Sequence, residues 1–387
     1  MMMKQQGFLF VADITGYTAY LSGSELEHAQ DSLGNLLQVL IENTKPPLVI
    51  SRLEGDAIIS YALNGSFLQG QTLIESLEST YVAFRLAQQR MRLNTTCTCM
   101  ACKNIPNLDL KFFVHYGEFM VQDLGPFKEL IGNDVNLIHR VLKNDVTDSS
   151  GIRAYILYTK NAVDALDIPK FTESLHTHIE PDEYVDQIHM YIQDLQPIWD
   201  RERDRQQVIV PPAEALFTIE EDFPINPALL WDYLTKPEYR AILNKADGMD
   251  VENLSDGRTG SGSVYICAHG DAKLRHAIVD WQPSNYYTYE SDGVIPGTRN
   301  HVTVYLHPSE KGTRVIGVCG KSFGDQTACA DNDTFLLENV SQEAQNGCKL
   351  LNDRVRGDLD LGIIVQASSI QPTTDQIESA VEFGIRE

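Results

Sequence analysis

The sequence predicts an α+β protein in two domains, on three observations. Apolar runs of strand and helix periodicity alternate through the first half. The order of elements changes beyond a charged, proline-bearing stretch near residues 197–213. At 387 residues the chain also exceeds what one hydrophobic core commonly organises.

Taken in order, GFLFVADI (7–14) is a nearly continuous apolar run, the pattern of a strand covered on both faces. Ser24 and Glu27 have capping-box spacing and open a helix. On it Leu26, Ala29, Leu33, Leu36, Leu37, Leu40 and Ile41 recur at helical intervals, and Pro46–Pro47 end it. LVISRL (48–53) and AIISYA (57–62) read as a hairpin turning at Glu54-Gly55-Asp56. A second helix is expected over about 68–93. LKFFVHYG (110–117) alternates as a strand with EFMVQDL as its partner, a third helix covers 135–143, and RAYILYT (153–159) returns as a strand. Strands before and after helices, with hairpins among them, imply helices packed on a mixed sheet. The predicted division is 1–198, a linker at 199–213, a second domain at 214–356 and a polar tail at 357–387. In the second domain a strand (215–223), a helical stretch (226–243), many strands to about Val318 and a long helix (333–354) follow one another.

Composition bounds the function. Hydrophobic residues are 43% and charged residues 22%, ordinary for a folded protein. A formal net charge of −23 argues against a general nucleic-acid partner, which needs a basic face to displace phosphate counterions. No run of ~18 apolar residues is present to span a bilayer, so no membrane partner is expected. Seven cysteines do not make a disulfide framework in a chain this long, and a reducing, cytoplasmic setting is the expectation.

Three stretches carry chemistry. Phe10-Val-Ala-Asp13-Ile14-Thr15-Gly16-Tyr17-Thr18 sets a carboxylate at a strand end before a glycine turn, whose N–H groups can face phosphate oxygens while the carboxylate holds a cation. Arg52-Leu-Glu-Gly55-Asp56 sets another carboxylate at a hairpin tip. In Gly132-Asn-Asp-Val-Asn136-Leu-Ile-His-Arg140, Asn136 and Arg140 share one helix face. Singly, each has a structural reading: a turn cap, an ordinary hairpin, a cation complementing a helix dipole. Order and spacing together point further.

These stretches resemble the class III adenylate and guanylate cyclase pattern, F-x-D-I-x-G-[FY]-T, [KR]-x-x-G-D and G-x-x-V-N-x-x-x-R, with HYGEF (115–119) where that family has its H-x-G-x-V pair. The likeness covers roughly residues 7–195 and is nearest to an uncharacterised bacterial branch. It implies a ferredoxin-like nucleotidyl cyclase domain making a 3′,5′-cyclic nucleotide and pyrophosphate from a nucleoside triphosphate. Asp13 and Asp56, helped by the Ile14 carbonyl, would hold two Mg²⁺ or Mn²⁺ ions. The backbone of Ile14, Thr15, Gly16 and Tyr17 would contact phosphates, Asn136 would orient the ribose, and Arg140 would stabilise charge at the α-phosphate. Since the family's site straddles two chains, a homodimer is implied. Three positions depart from the family pattern. Arg52 and Glu129 stand where the base is chosen and spell neither adenine nor guanine; they could pair with each other or with a base edge. No lysine lies between Lys170 and Lys236 to serve as the late-strand triphosphate ligand. Nucleotide binding without turnover is therefore the alternative.

Cys97, Cys99 and Cys102 form a C-x-C-x-x-C cluster that suits a structural Zn²⁺ lacking its fourth ligand, or ordinary reduced thiols. Residues 214–356 resemble the helix-grip fold of START-like and polyketide-cyclase-like domains, through FTIEEDFPINPALLWDYLTKPEYRAILN (217–244), GSGSVYICAH (260–269), DWQPSNYYTYES (280–291) and the long final helix. That likeness implies a cavity for a small hydrophobic ligand, which His269, His276 and His301 could line, or a filled domain that only aids dimerisation.

Overall fold

The computed structural model describes residues 4–94, 99–123, 128–184, 186–205 and 207–364. They form two compact units: 4–66 with 73–205, and 67–72 with 207–364. No described helix is long and apolar enough to cross a membrane.

The first unit runs β1 (Lys4–Thr15), α1 (Tyr17–Ser22), α2 (Leu26–Asn43), β2 (Val49–Glu54), β3 (Ala57–Leu63), α3 (Gly70–Asn94) and α4 (Met100–Asn104). It continues with β4 (Asp109–Asp123), β5 (Lys128–Ile131), α5 (Asn133–Val141), α6 (Val146–Ser150), β6 (Tyr155–Thr159), α7 (Lys160–Leu166), α8 (Pro169–Ser174), β7 (His176–Asp182), β8 (Asp186–Asp194) and α9 (Gln196–Asp204). The strands lie in the order β2-β3-β1-β4-β6-β8-β7, with β5 added to β4. β4 and β6 are parallel and the other pairs antiparallel, so the sheet is mixed, as the sequence predicts.

β1 is central and apolar on both faces, because alternate residues must each be covered. Leu9 and Val11 join a core with Phe113, Tyr155 and Leu157 of the sheet and Val135, Ile138 and Val141 of α5. Phe10, Ala12 and Ile14, on the opposite face, are buried too, as are Leu33, Leu36, Leu37 and Leu40 of α2.

Several expectations fail for identifiable reasons. EFMVQDL is not a partner of LKFFVHYG; both belong to the single strand β4, held straight by β1 pairing from Lys4↔Met120 to Thr15↔Asp109. The tail of β4 pairs instead with β5. Ser24 and Glu27 do not form a capping box: α2 begins after Glu25 with no side-chain cap, since Glu25 is drawn away to accept the Ala101 N–H. The charged run at 200–204, expected in a linker, is the end of α9, because Trp199 on its inner side is 6% exposed and anchors it. Strands β7 and β8 and helices α7 and α8 have no counterpart in the sequence reading.

The second unit comprises β9 (Ala215–Phe223), α10 (Pro227–Thr235), α11 (Pro237–Leu243), β10 (Gly248–Glu252), β11 (Val264–His269), β12 (Ala272–Gln282), β13 (Tyr286–Asp292), β14 (Thr298–Ser309), β15 (Gly312–Gly320), β16 (Phe323–Gly324), α12 (Gln326–Phe335) and α13 (Ser341–Asp360). An antiparallel sheet in the order β10-β11-β12-β13-β14-β15-β9 carries β16 on β14. Its core gathers Trp231 and Leu234 of α10, Tyr265, Tyr287 and Leu306 of the sheet, and Leu351 and Val355 of α13. The expected helical stretch at 226–243 is two helices. Pro237 holds Lys236 in an extended conformation (ψ 133°), which ends α10. The long final helix begins earlier than expected, at Gln326, with a π-helical turn at Leu336–Val340. Most of the predicted tail, from residue 365, lies outside the described residues.

Gly117 in HYGEF has a steric reason. A Cβ there would come within 2.4 Å of the Asp134 carboxylate. That carboxylate cannot retreat freely, since it accepts the Glu118 N–H at 2.6 Å and lies 3.2 Å from His115 Nε2. Gly117→Ala should therefore destabilise the protein by about 1–3 kcal/mol in urea unfolding. An unchanged midpoint would mean that the β4–α5 contact yields easily.

Candidate functional site

The site is built from the end of β1 and the tip of the β2–β3 hairpin. Register places Asp13 opposite Ala57, and Glu54 pairs with Ala57 across the hairpin, leaving Gly55–Asp56 as a two-residue turn. Gly55 takes φ +60°, which a side chain would resist. Asp56 is thereby set one residue from Asp13's cross-strand neighbour. The two carboxylates sense each other: Asp56 is pushed up to about 7, first by burial and then by the negative charge of Asp13. Asp13 is also raised, by burial, with Lys111 partly opposing. Two half-buried carboxylates, both raised by burial and one of them also by its neighbour's charge, form an oxygen donor set suited to a hard divalent cation.

Beyond Asp13 the chain turns at Gly16 (φ +88°), which precedes α1. A Cβ at Gly16 would stand 3.3 Å from the Asn107 carbonyl. Ile14 is buried, Thr15 Oγ1 donates weakly to the Arg153 carbonyl at 3.5 Å, and Tyr17 is half-buried. Burial raises the Tyr17 phenol, and the Asp56 charge adds to that. Tyr17 is thus within electrostatic reach of the acidic pair.

Lys111 is the site residue that the sequence reading missed. It pairs in register with Asp13 on one side and Tyr155 on the other, and its ammonium lies 5.3 Å from the Tyr155 ring centroid. Burial lowers its proton affinity and the Asp13 charge restores part of it. The signal was present in the alternation of LKFFVHYG, where Lys111 falls on the inward face of an otherwise apolar strand.

The expected base-selecting pair meets as one of its two alternatives: Arg52 donates to Glu129 at 2.5 Å. The same guanidinium reaches Glu54 at 3.1 Å and His139 Nε2 at 3.3 Å. Asn136 is exposed on α5. Arg140, one turn on, is not free: its Nε donates to Asp182 of β7 at 2.6 Å, and its guanidinium lies 4.9 Å from the Tyr184 ring centroid. Among the described residues the structure brings Asp13 to Asp56 and Arg52 to Glu129, but it does not pair Arg140 with either aspartate.

Away from this site, Cys99 and Cys102 gain a neighbour from α2. His28 Nδ1 lies 3.3 Å from Cys99 Sγ, and the ligand atoms of His28, Cys99 and Cys102 all fall within 4.8 Å of one another. Cys97 lies outside the described residues.

A family described only as a protein of unknown function, DUF2652, matches residues 33–150. The chain is 30% identical over 135 residues to the uncharacterized protein Rv2561/Rv2562 of Mycobacterium tuberculosis, a match covering 35% of this chain and 60% of that protein. Among solved structures it is similar to the guanylyl cyclase Cya2, at 16% identity over 49% of this chain and 92% of the other, with a TM-score of 0.39. It is also similar to the adenylyl cyclase CyaB from P. aeruginosa, at 17% identity over 50% and 95%, with a TM-score of 0.36.

The acidic pair makes a prediction that needs no substrate. Because the folded Asp56 holds its proton up to about pH 7 while an unfolded aspartate releases it near 4, folding stability should fall as pH rises through that window. Asp56→Asn removes the like charge. At pH 8 the variant should be more stable than the parent by about 1–3 kcal/mol, after discount for partial solvation, and the gap should close by pH 4. Urea titrations at the two pH values measure this. Equal stability at pH 8 would show that the carboxylates do not oppose each other.

Proposed function

We propose that the first unit is a nucleotidyl cyclase. It would convert a nucleoside triphosphate to a 3′,5′-cyclic nucleotide and pyrophosphate. The observation that carries the reading is the placement of Asp13 at the end of β1 and of Asp56 on the adjoining hairpin turn, near enough for the Asp13 charge to raise Asp56, beside the Gly16 turn. Two Mg²⁺ or Mn²⁺ ions held by Asp13 and Asp56, with the Ile14 carbonyl, would supply Lewis acidity at the phosphates and acidify the ribose 3′-hydroxyl. The N–H groups from Ile14 to Tyr17 receive phosphate oxygens, and Lys111 offsets negative charge at the same strand end. The 3′-hydroxyl gives up its proton to solvent water as its oxygen attacks the α-phosphorus, the bond from that phosphorus to the bridging oxygen of the β-phosphate breaks, and pyrophosphate leaves. Asn136 orients the ribose, and Arg140 takes up charge growing on the α-phosphate oxygens. In this reading those two residues come from a second copy of the chain, so the working form is a homodimer. The Arg52–Glu129 pair sits at the base position already satisfied, which leaves the base open.

One observation favours a second reading, nucleotide binding without turnover. The Arg140 guanidinium is committed to Asp182, whose side chain is 4% exposed, and releasing it would leave a buried carboxylate without its cation. Incubation with ATP, GTP, CTP or UTP and Mn²⁺, analysed for cyclic product and pyrophosphate, separates the two. The expected result is product from at least one triphosphate, with Asp13→Ala and Asp56→Ala each lowering turnover by about 100-fold or more. Calorimetric binding with no product from any of the four, in Mn²⁺ and in Mg²⁺, decides for the second reading.

We also propose that His28, Cys99 and Cys102 hold a structural Zn²⁺, with Cys97 as the candidate fourth ligand. Two soft thiolates and an imidazole are the donors that zinc takes, and their mutual spacing suits a tetrahedral site. Metal analysis of purified protein should find about one zinc per chain, falling in His28→Ala and in Cys99→Ser, with a lower melting temperature in both. A zinc-free parent of full stability would reject the site.

A further inference from the structure

The second unit contains a cavity of about 480 Å³ whose walls are mostly apolar, with Phe217, Ile219, Val302, Val315 and Leu336 among them. That volume suits a small organic ligand. One wall residue does not fit an apolar site. Arg240, on α11, also lines the cavity and is 1% exposed.

A guanidinium stays charged at any physiological pH, and burying it without a counter-ion is costly. Most buried arginines meet a carboxylate. Among the described residues Arg240 meets none. Its hydrogen bond to the backbone is a long contact of 3.4 Å to the Leu234 carbonyl, and its Nε has no partner. Its strongest charge neighbours are the phenols of Tyr287, Tyr265 and Tyr289 and the Cys267 thiol. Burial keeps Tyr287, Tyr289 and Cys267 protonated, so they bring no full negative charge. The three rings stand 5.1, 4.5 and 4.8 Å from the guanidinium carbon, a cation–π cage that offsets part of the cost; the Tyr287 hydroxyl adds a hydrogen-bonding neighbour but leaves Nε without a partner. His276 cannot help: burial first, then the Arg240 charge, drives it down to about 3, and it stays neutral. The two acidic residues lining the cavity, Asp292 and Glu343, are exposed, and Glu343 is paired with Lys245. The deep end of an apolar cavity therefore holds one positive charge with hydrogen-bonding capacity to spare.

We infer that this cavity binds an amphiphile with an apolar body and a single oxyanion head, carboxylate or phosphate, anchored on Arg240. The head would take up the unpartnered donors of the guanidinium in a charge-assisted contact, and the body would fill the space between Val302, Val315 and Leu336. A merely hydrophobic ligand would leave the cation as it stands. The inference concerns the second unit alone and does not depend on the proposed cyclase.

Isothermal titration of the full chain with dodecanoate, dodecyl phosphate and dodecanol, each below its micellar range, tests it. Saturable 1:1 binding of dodecanoate, dodecyl phosphate or both is expected, with dodecanol at least about tenfold weaker. Whichever anion binds more tightly identifies the head. Arg240→Met should abolish the preference of acid over alcohol. Should that variant fail to fold, Val302→Trp, which fills the cavity and leaves Arg240 intact, should weaken both anions at least about tenfold. Equal affinity for dodecanol and the anions, no binding of any of the three, or undiminished anion binding by Val302→Trp would each overturn the inference.

Discussion

Two carboxylates are forced together where the backbone gives them no choice. Asp13 is placed by the β1–β3 register, and Asp56 by a turn that only two residues close, so the backbone sets both residues at one strand end. The cost shows in Asp56, which burial and then the Asp13 charge push up to about 7; burial raises Asp13 as well. A fold optimised for stability alone would place a neutral side chain at one of these positions. With both acids at a half-buried strand end negative charge accumulates there, and Lys111 offsets only part of it.

Around that point the other polar groups of the first unit are largely engaged with one another. Arg52 is shared among Glu129, Glu54 and His139, and Arg140 is held by Asp182 under the Tyr184 ring. Such pairs set geometry at modest energetic gain when partly exposed. They also mean that any substrate reaching these guanidiniums must compete with carboxylates already in place. Asn136, by contrast, stands exposed on the same helix as Arg140.

The second unit presents the opposite electrostatic problem. There, among the described residues, a cation is buried without an acid, and three aromatic faces stand where a counter-ion would be expected. Asp232 shows the same sheet-and-helix framework satisfying a buried charge by ordinary means: it is fully buried, yet accepts the Leu68 N–H at 2.8 Å and the Thr72 hydroxyl. Arg240 has no such provision, which is why its surroundings read as a binding site rather than as core.

Much of the frame was legible in the chain. The continuous apolar run of 7–14, the hairpin at Gly55–Asp56 and the helix face of Leu33, Leu36, Leu37 and Leu40 follow from local periodicity and turn chemistry, and the structure holds all three. The Asp13 and Asp56 motifs could be named from sequence because each is short and lies on one element. Their approach could not be, since it depends on which strand neighbours β1. The same reason hid the single long β4, the Lys111–Asp13 register, the Asp182 that holds Arg140 and the His28 that joins Cys99 and Cys102. Each links residues far apart in the chain, and local pattern carries no term for such pairing. Arg240 is the extreme case: in sequence it is one more arginine on an amphipathic helix. The sequence by itself determined the apolar run of β1, the hairpin turn at Gly55–Asp56 and the buried face of α2, because local periodicity and turn chemistry set each of them. Only tertiary structure decided which charges would face each other and which would face none, because burial and distance, not composition, set the energy of a charge.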